Sequence, residues 1–225
     1  PVKRWMTLCA SRLNQMRFQF SQVWRNVSII CLTSSMSEKT PSSWNLLADD
    51  LHADCRIFEI RKQRFLRNSD RKEGDFFVLN TNDWVNVLAL TSDDQLVMVN
   101  QYRYGTKDFS LEPPGGVVEQ GEDPSLAGQR ELQEETGYRG TDPEIIGSVS
   151  PNPAIMSNRC HFLLVREVEK THEVAFDPNE ELVTKLVAVS ELVDLIRSGK
   201  ITHSLAMNAI FHLLLKLGKA PKLSP

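Results

Sequence analysis

Apolar and polar residues change their spacing several times along the chain, and the changes mark a mixed α/β fold. Trp84–Leu90 (WVNVLAL) and Gln95–Tyr102 (QLVMVNQY) are apolar runs of strand length. Thr91–Asp94 lies between them with turn composition, so the pair reads as a hairpin. Further strands are expected at Cys55–Phe65, with Ile57 and Phe58 among its apolar residues, and at Phe76–Leu79. The charged stretch Arg67–Gly74 between them reads as a hairpin loop. Ile145–Val149, Cys160–Val168 and Leu182–Val189 complete the strand candidates, and Trp44–Leu51 is read as a short helix. Strands and helices do not alternate cleanly, which argues against a simple parallel βαβ fold.

Helical spacing is clearest in two later segments. Ser204–Leu217 places Leu205, Ile210, Leu213 and Leu214 on one face. Glu191–Arg197 is a shorter helix, with Ser190 expected to cap its start and Gly199 to stop it. A third helix lies within Gly116–Tyr138, GVVEQGEDPSLAGQRELQEETGY. Asp123 suits its N-cap, Pro124 the first helical position, and Gly137 the left-handed C-terminal stop. Leu126 and Leu132 are expected to anchor it to a core.

That helix carries Glu131, Glu134 and Glu135 at i, i+3 and i+4, so its carboxylates share a face. Like charges so arranged destabilise a bare helix. Arg130 offsets part of the repulsion, and hard divalent cations, which prefer carboxylate oxygen, would offset more. Glu122, just ahead of the helix, adds a further carboxylate. A solvated acidic face would also present such glutamates, so the wider pattern has to decide.

The wider pattern resembles the Nudix box, G-x5-E-x7-R-E-U-x-E-E-x-G-U with U a bulky apolar residue. Its positions fall on Gly116, Glu122, Arg130, Glu131, Leu132, Glu134, Glu135 and Gly137, with Tyr138 as an aromatic variant at the last position. The resemblance covers about residues 54–217 and implies an α/β/α sandwich around a mixed sheet. It implies Glu131, Glu135 and the Gly115 carbonyl as metal ligands, and Glu134 as a further ligand or a partner of metal-bound water. By the same resemblance Arg130 orients the glutamates, and Glu122 supports the loop–helix geometry. The implied cofactor is Mg²⁺, with Mn²⁺ as an alternative. The implied reaction is hydrolysis of the diphosphate in a nucleoside diphosphate linked to another group.

Outside the box, Gln101–Gly105 (QYRYG) and Leu111–Gly116 (LEPPGG) resemble segments of ADP-ribose pyrophosphatase-like members. Arg103 is a candidate phosphate grip, and Tyr102 or Tyr104 a stacking surface. Glu112 is expected near the metals or the ribose, or else paired with a neighbouring Arg. Pro153, in Ser150–Asn158, follows Gly137 at about the offset that marks the subgroup. A general base from a later loop is expected at Glu180, with Glu181 next to it. A GDP-sugar, a dinucleoside polyphosphate or an oxidised nucleotide remains an alternative substrate, and a non-catalytic binding module an alternative class. The subgroup also implies a homodimer formed through N-terminal strands.

Charge refines this picture. The net charge of −3 gives no global field for nucleic acid. Residues 1–37 hold Lys3, Arg4, Arg12, Arg17 and Arg25 with no acid, so the remainder is more acidic than the whole. That segment is either a translated upstream extension, with Met36 near the natural start, or a transit-like leader. Residues 1–40 are expected as a poorly ordered extension and 41–225 as the hydrolase domain. No run approaches the roughly 20 apolar residues of a membrane helix. Cys9, Cys31, Cys55 and Cys160 show no metal spacing and suit reduced thiols in a cytoplasmic protein.

Overall fold

A computed structural model describes residues 40–176 and 181–220. The expected N-terminal extension, apart from Thr40, and Glu180 lie outside the described residues. The chain divides near Ser42, and the elements below belong to the unit that begins at Ser43.

Strands β1 (Trp44–Asp54), β2 (Glu59–Arg67) and β3 (Glu73–Asn80) form an antiparallel sheet. Strands β4 (Trp84–Ala89), β5 (Gln95–Arg103), β6 (Asp108–Glu112) and β7 (Gly115–Val117) come next, followed by helix α1 (Pro124–Thr136). Then follow β8 (Tyr138–Val149), β9 (Cys160–Lys170), β10 (Leu182–Ala188), α2 (Leu192–Arg197) and α3 (Ser204–Lys216). The order β7-β4-β9-β8 makes a mixed sheet, with β4 and β9 parallel and the outer pairs antiparallel. The order β10-β5-β6 makes an antiparallel sheet beside it.

The β4 and β9 strands are buried on both faces, and their alternation sorts side chains into two cores. Val85, Val87, Ala89, Leu163 and Val165 pack beneath α1 with Ala127 and Leu132. Leu88, Leu90, Phe162 and Leu164 pack on the other side with Leu205, Ala209, Ile210 and Leu213 of α3. The result is the α/β/α sandwich around a mixed sheet. Each fully buried Leu or Phe here contributes about 1.5–3 kcal/mol of transfer free energy, so the two layers hold the sheet from both sides.

Several sequence expectations are corrected. Trp44–Leu51 is not a helix; it opens β1, whose register on β2 runs from Trp44↔Arg67 to Asp54↔Glu59. Its residues are almost all exposed, so a helix there would have had no face to bury. Cross-strand contacts replace that face: Arg61 Nε donates to Asp49 Oδ1 at 3.0 Å, and Trp44 meets Phe76 edge-on. Cys55–Phe58 is the tight β1–β2 turn rather than strand, with Arg56 at φ 67°. The β4–β5 hairpin is also absent. The chain does turn at Thr91–Asp94, but only the bridge Leu90↔Leu96 joins the two strands. Each strand has two edges, and β4 fills its own with β7 and β9 while β5 takes β10 and β6. Ser190 does not cap α2; it sits inside a 3₁₀ turn at Val189–Glu191, although Gly199 ends the segment at φ 71° as expected.

Helix α1 begins and ends as its sequence dictates. Asp123 accepts from the Ser125 and Leu126 N–H groups, and Gly137 stops the helix at φ 76° with its N–H on the Gln133 carbonyl. The helix meets the sheet through Ala127, Gly128 and Leu132. Leu126, expected to anchor it, is 62% exposed instead. At Gly128 an added Cβ would lie 2.6 Å from Leu163 Cδ2 and 3.1 Å from Val85 Cγ2, so the residue sets the helix–sheet distance. Gly128→Val should therefore destabilise the fold by about 1–3 kcal/mol through overpacking. A lower urea midpoint with unchanged slope would register it, whereas Leu126→Ala should change stability by less than about 0.5 kcal/mol.

Candidate active site

The close approach of α1 brings its carboxylates onto the β6–β7 backbone. Glu135 is 3% exposed, and its Oε2 accepts the Gly115 N–H at 2.9 Å. A Cβ on Gly116 would run into the Glu131 carboxylate, and one on Gly115 into the Val85 carbonyl. Glycine at both positions therefore lets a loop backbone lie against a glutamate pair.

Arg130 ties the remaining carboxylates together. Its Nη1 donates to Glu131 Oε1 at 2.8 Å and to Glu134 Oε2 at 3.2 Å. Its Nε and Nη2 reach Glu122 at 3.2 Å each, and Nη2 also reaches the Val117 carbonyl. Glu122 accepts the Glu119 N–H in turn. The Arg130 hydrogen bond holds the Glu122 carboxyl below its ordinary range, and the same bond raises the Arg130 guanidinium further. One cation thus fixes Glu122, Glu131 and Glu134 relative to the loop.

Among the described residues no group of three or more His, Cys, Asp or Glu side chains closes into a ready cation cage. The glutamates turn to Arg130 and to the Gly115 N–H instead. The donor set nonetheless fits a hard divalent cation: it is all oxygen, and the helix face that carries it lies against the Gly115–Gly116 backbone. Glu131, Glu134, Glu135 and the Gly115 carbonyl are the groups able to hold one.

A cavity of about 750 Å³ opens beside this loop. Gly115, Gly116 and Val117 line one part, and Arg103, Tyr104 and Phe109 of the β5–β6 hairpin another. Below it lies Glu112, whose side chain is 2% exposed. Arg103 Nε donates to Glu112 Oε1 at 2.7 Å, and His203 Nδ1 stands 2.9 Å from Glu112 Oε2. The histidine contact lies off the N–H direction of a good hydrogen bond, so Nδ1 is close to the carboxylate but poorly aligned. Burial pushes the Glu112 carboxyl up, but His203 and Arg103 outweigh it, and the net shift is downward. Glu112 is thus an ionised carboxylate paired with Arg103.

The structure does not gather every expected residue. Arg103, Tyr104, Gly115 and Gly116 line the cavity. Pro153 does not line it; it is exposed in a turn closed by Met156 N–H on the Asn152 carbonyl, against the end of β3. Glu181 is exposed just before β10 and does not line the cavity either, while Glu180 lies outside the described residues. His203, Asn86 and Phe109 line the cavity without having been singled out from sequence. Asn86 carried a signal, being a polar residue inside the apolar run WVNVLAL. Cys160 offers no nucleophile, because burial pushes its thiol up to about 12.

A glycine loop on a glutamate helix, beside a cavity and on an α/β/α frame, defines a hydrolase built for phosphate-rich substrates. The NUDIX domain profile matches residues 82–205, and the chain belongs to that family. It is a Nudix pyrophosphohydrolase of the ADP-ribose pyrophosphatase-like subgroup. Hydrolases of this family generally work with a divalent metal. Over 133 residues the chain is 30% identical to an ADP-ribose pyrophosphatase of Bacillus subtilis, covering 59% of this chain and 72% of that one. Over the same length and with the same coverage it is 31% identical to a methanol dehydrogenase activator of Bacillus methanolicus. A crystal structure of an ADP compounds hydrolase matches with TM-score 0.71 and 21% identity, over 81% of this chain and all of that one, which is a likeness of fold.

The Glu112 pairing predicts a pH signature. A carboxyl whose folded pKa lies below its unfolded value stabilises the fold above the unfolded value, and that contribution is lost as pH falls through the folded one. Glu112→Gln should therefore cost about 1–3 kcal/mol at pH 7 by leaving Arg103 and His203 without their carboxylate. The cost is held down because the Arg103 side chain is 45% exposed. Denaturation at several pH values should show the gap to the unaltered protein shrinking below about pH 4.5. A gap that widened in acid would contradict the pairing.

Proposed function

We propose that this protein hydrolyses the diphosphate bridge of ADP-ribose or a related nucleoside diphosphate sugar, releasing a nucleoside monophosphate and a sugar phosphate. The observation that carries this reading is the Gly115–Gly116 backbone, which touches the glutamate helix on one side and lines the cavity on the other. A diphosphate seated on that loop would reach both. The Bacillus subtilis relative named as an ADP-ribose pyrophosphatase supports the choice of substrate.

On this reading Glu131, Glu135, Glu134 and the Gly115 carbonyl hold Mg²⁺, for which Mn²⁺ can substitute. When bound, the cation offsets the charge of the diphosphate and makes water a stronger acid. Arg130 keeps Glu131 and Glu134 aimed at the loop, and Glu122 braces Arg130. Water oxygen bonds to phosphorus as the bridging P–O bond breaks, and a carboxylate takes the water proton. We assign that proton to Glu180 or Glu181, with Glu134 as the carboxylate already on the helix. Arg103, held by Glu112, faces the phosphates. Tyr104 and Phe109 are 77% and 66% exposed at the hairpin tip, and both offer ring faces to a base.

Purified protein with Mg²⁺ should release AMP from ADP-ribose faster than GMP from GDP-mannose, and chelation should abolish both. The reverse order would move the assignment to GDP-sugars. Glu135→Gln should lower turnover by at least about a hundredfold, the scale of a lost electrostatic contact in the transition state, with near-ultraviolet circular dichroism unchanged.

A homodimer completes the reading. The β1–β3 sheet exposes Leu46, Leu47, Leu51, Phe76 and Phe77, apolar side chains that a second copy would cover. Sedimentation should give twice the 25.5 kDa chain mass, and Leu47→Asp with Phe76→Asp should return it to one. A monomer before substitution would remove the dimer. Cys55 and Cys160 are free thiols, which suits the reducing cytoplasm, our proposed location. No helix among the described residues is long and apolar enough to cross a membrane.

A further inference from the structure

His203 is not accounted for by the glutamate helix or by the QYRYG and LEPPGG segments. It immediately precedes α3, where it makes no capping bond to the helix. Its Nδ1 is buried 2.9 Å from Glu112 Oε2, yet the side chain as a whole is 34% exposed and lines the cavity. A ring nitrogen facing an ionised carboxylate carries the hydrogen, which leaves Nε2 as the nitrogen available to the cavity. The contact is short but off the N–H direction, so Glu112 biases the tautomer through its charge rather than through an aligned hydrogen bond. Glu112 therefore holds two side chains, Arg103 through one oxygen and His203 beside the other.

The lining near His203 indicates what it meets. Thr202 and Ser204, on either side of His203 in the chain, bring neutral hydroxyls to the lining, as does Ser110 of β6. A polyhydroxylated ring would find donors and acceptors in these hydroxyls. The aromatic hairpin tip takes the base on the reading above, which leaves the side near α3 for the second sugar.

We propose that His203 is a specificity-determining residue that hydrogen-bonds a hydroxyl of the sugar beyond the diphosphate, with Glu112 as its positioning residue. This assignment rests on the nucleoside diphosphate sugar reading. A sugar hydroxyl both donates and accepts, so it suits Nε2 in either role.

The test is calorimetric binding, with Mg²⁺, of two non-hydrolysable probes: α,β-methylene ADP-ribose, and α,β-methylene ADP, which lacks the second sugar. His203→Ala should weaken the ADP-ribose analogue about tenfold, the scale of one lost hydrogen bond, and leave the ADP analogue within about twofold. His203→Gln, whose amide can still reach a hydroxyl, should recover part of the loss; it carries the comparison if the alanine variant melts early. Equal weakening of both probes, or of neither, overturns the assignment while leaving the enzyme reading intact. Failure of the unaltered protein to bind either probe overturns the nucleoside diphosphate sugar reading and the role of His203 with it.

Discussion

The site depends on how closely helix α1 approaches the β4 and β7 backbone. That distance is set by Gly128 beneath the helix and by Gly116 opposite Glu131, while Gly115 lets β7 lie against the Val85 carbonyl of β4. A side chain at Gly128 or Gly116 would push the helix and its glutamates away from the sheet and loop. The apolar layer under α1 supplies the force that closes the gap, since Val85, Val87, Leu132 and Leu163 are all buried there. Packing thus does electrostatic work: it holds Glu135 3% exposed against a backbone N–H, where an isolated carboxylate would be costly.

Arg130 resolves the conflict that this packing creates. Glu131 and Glu134 lie one helical turn apart on an acidic face, and Glu122 approaches from the loop. A planar guanidinium with several donors can serve all of them, which a lysine ammonium on a flexible stem does less well. The same network explains why the described carboxylates do not close into a cage. Their oxygens are shared with Arg130 and Gly115, so a cation entering the site has to compete for them. The arrangement is a frame that keeps the carboxylates oriented, and binding would exchange part of the Arg130 contacts for metal contacts.

The sequence was most legible where the determinants are local. Asp123, Pro124 and Gly137 act within one helical turn of α1's ends, and the structure places cap and stop as their chemistry dictates. The two-faced burial of β4 and β9 was legible for a similar reason, because continuous apolar runs imply cover on both sides. What failed depended on distant partners. The β4–β5 pairing lost to β7, β9, β10 and β6, none of which local turn chemistry can weigh. Trp44–Leu51 lacked a helical face to bury, but its strand partner β2 is fixed only by the register on Arg67 and its neighbours. Leu126 looked like an anchor by type, yet close packing selected the small residues Ala127 and Gly128 for that face.

The pairing of Glu112 belongs to the same class of long-range facts and links the two halves of the site. Its strand, β6, leads directly into the glycine loop, so the buried carboxylate stands three residues before Gly115. Arg103 comes from the neighbouring strand and His203 from the approach to α3. One ionised group therefore ties the cavity wall to the backbone that meets the glutamate helix. A shift of β6 would disturb the cavity side chains and the metal-side loop together. This coupling gives a physical reason for an acid with no exposed surface: buried charge is tolerated where its partners are positioned by separate elements that must stay in register.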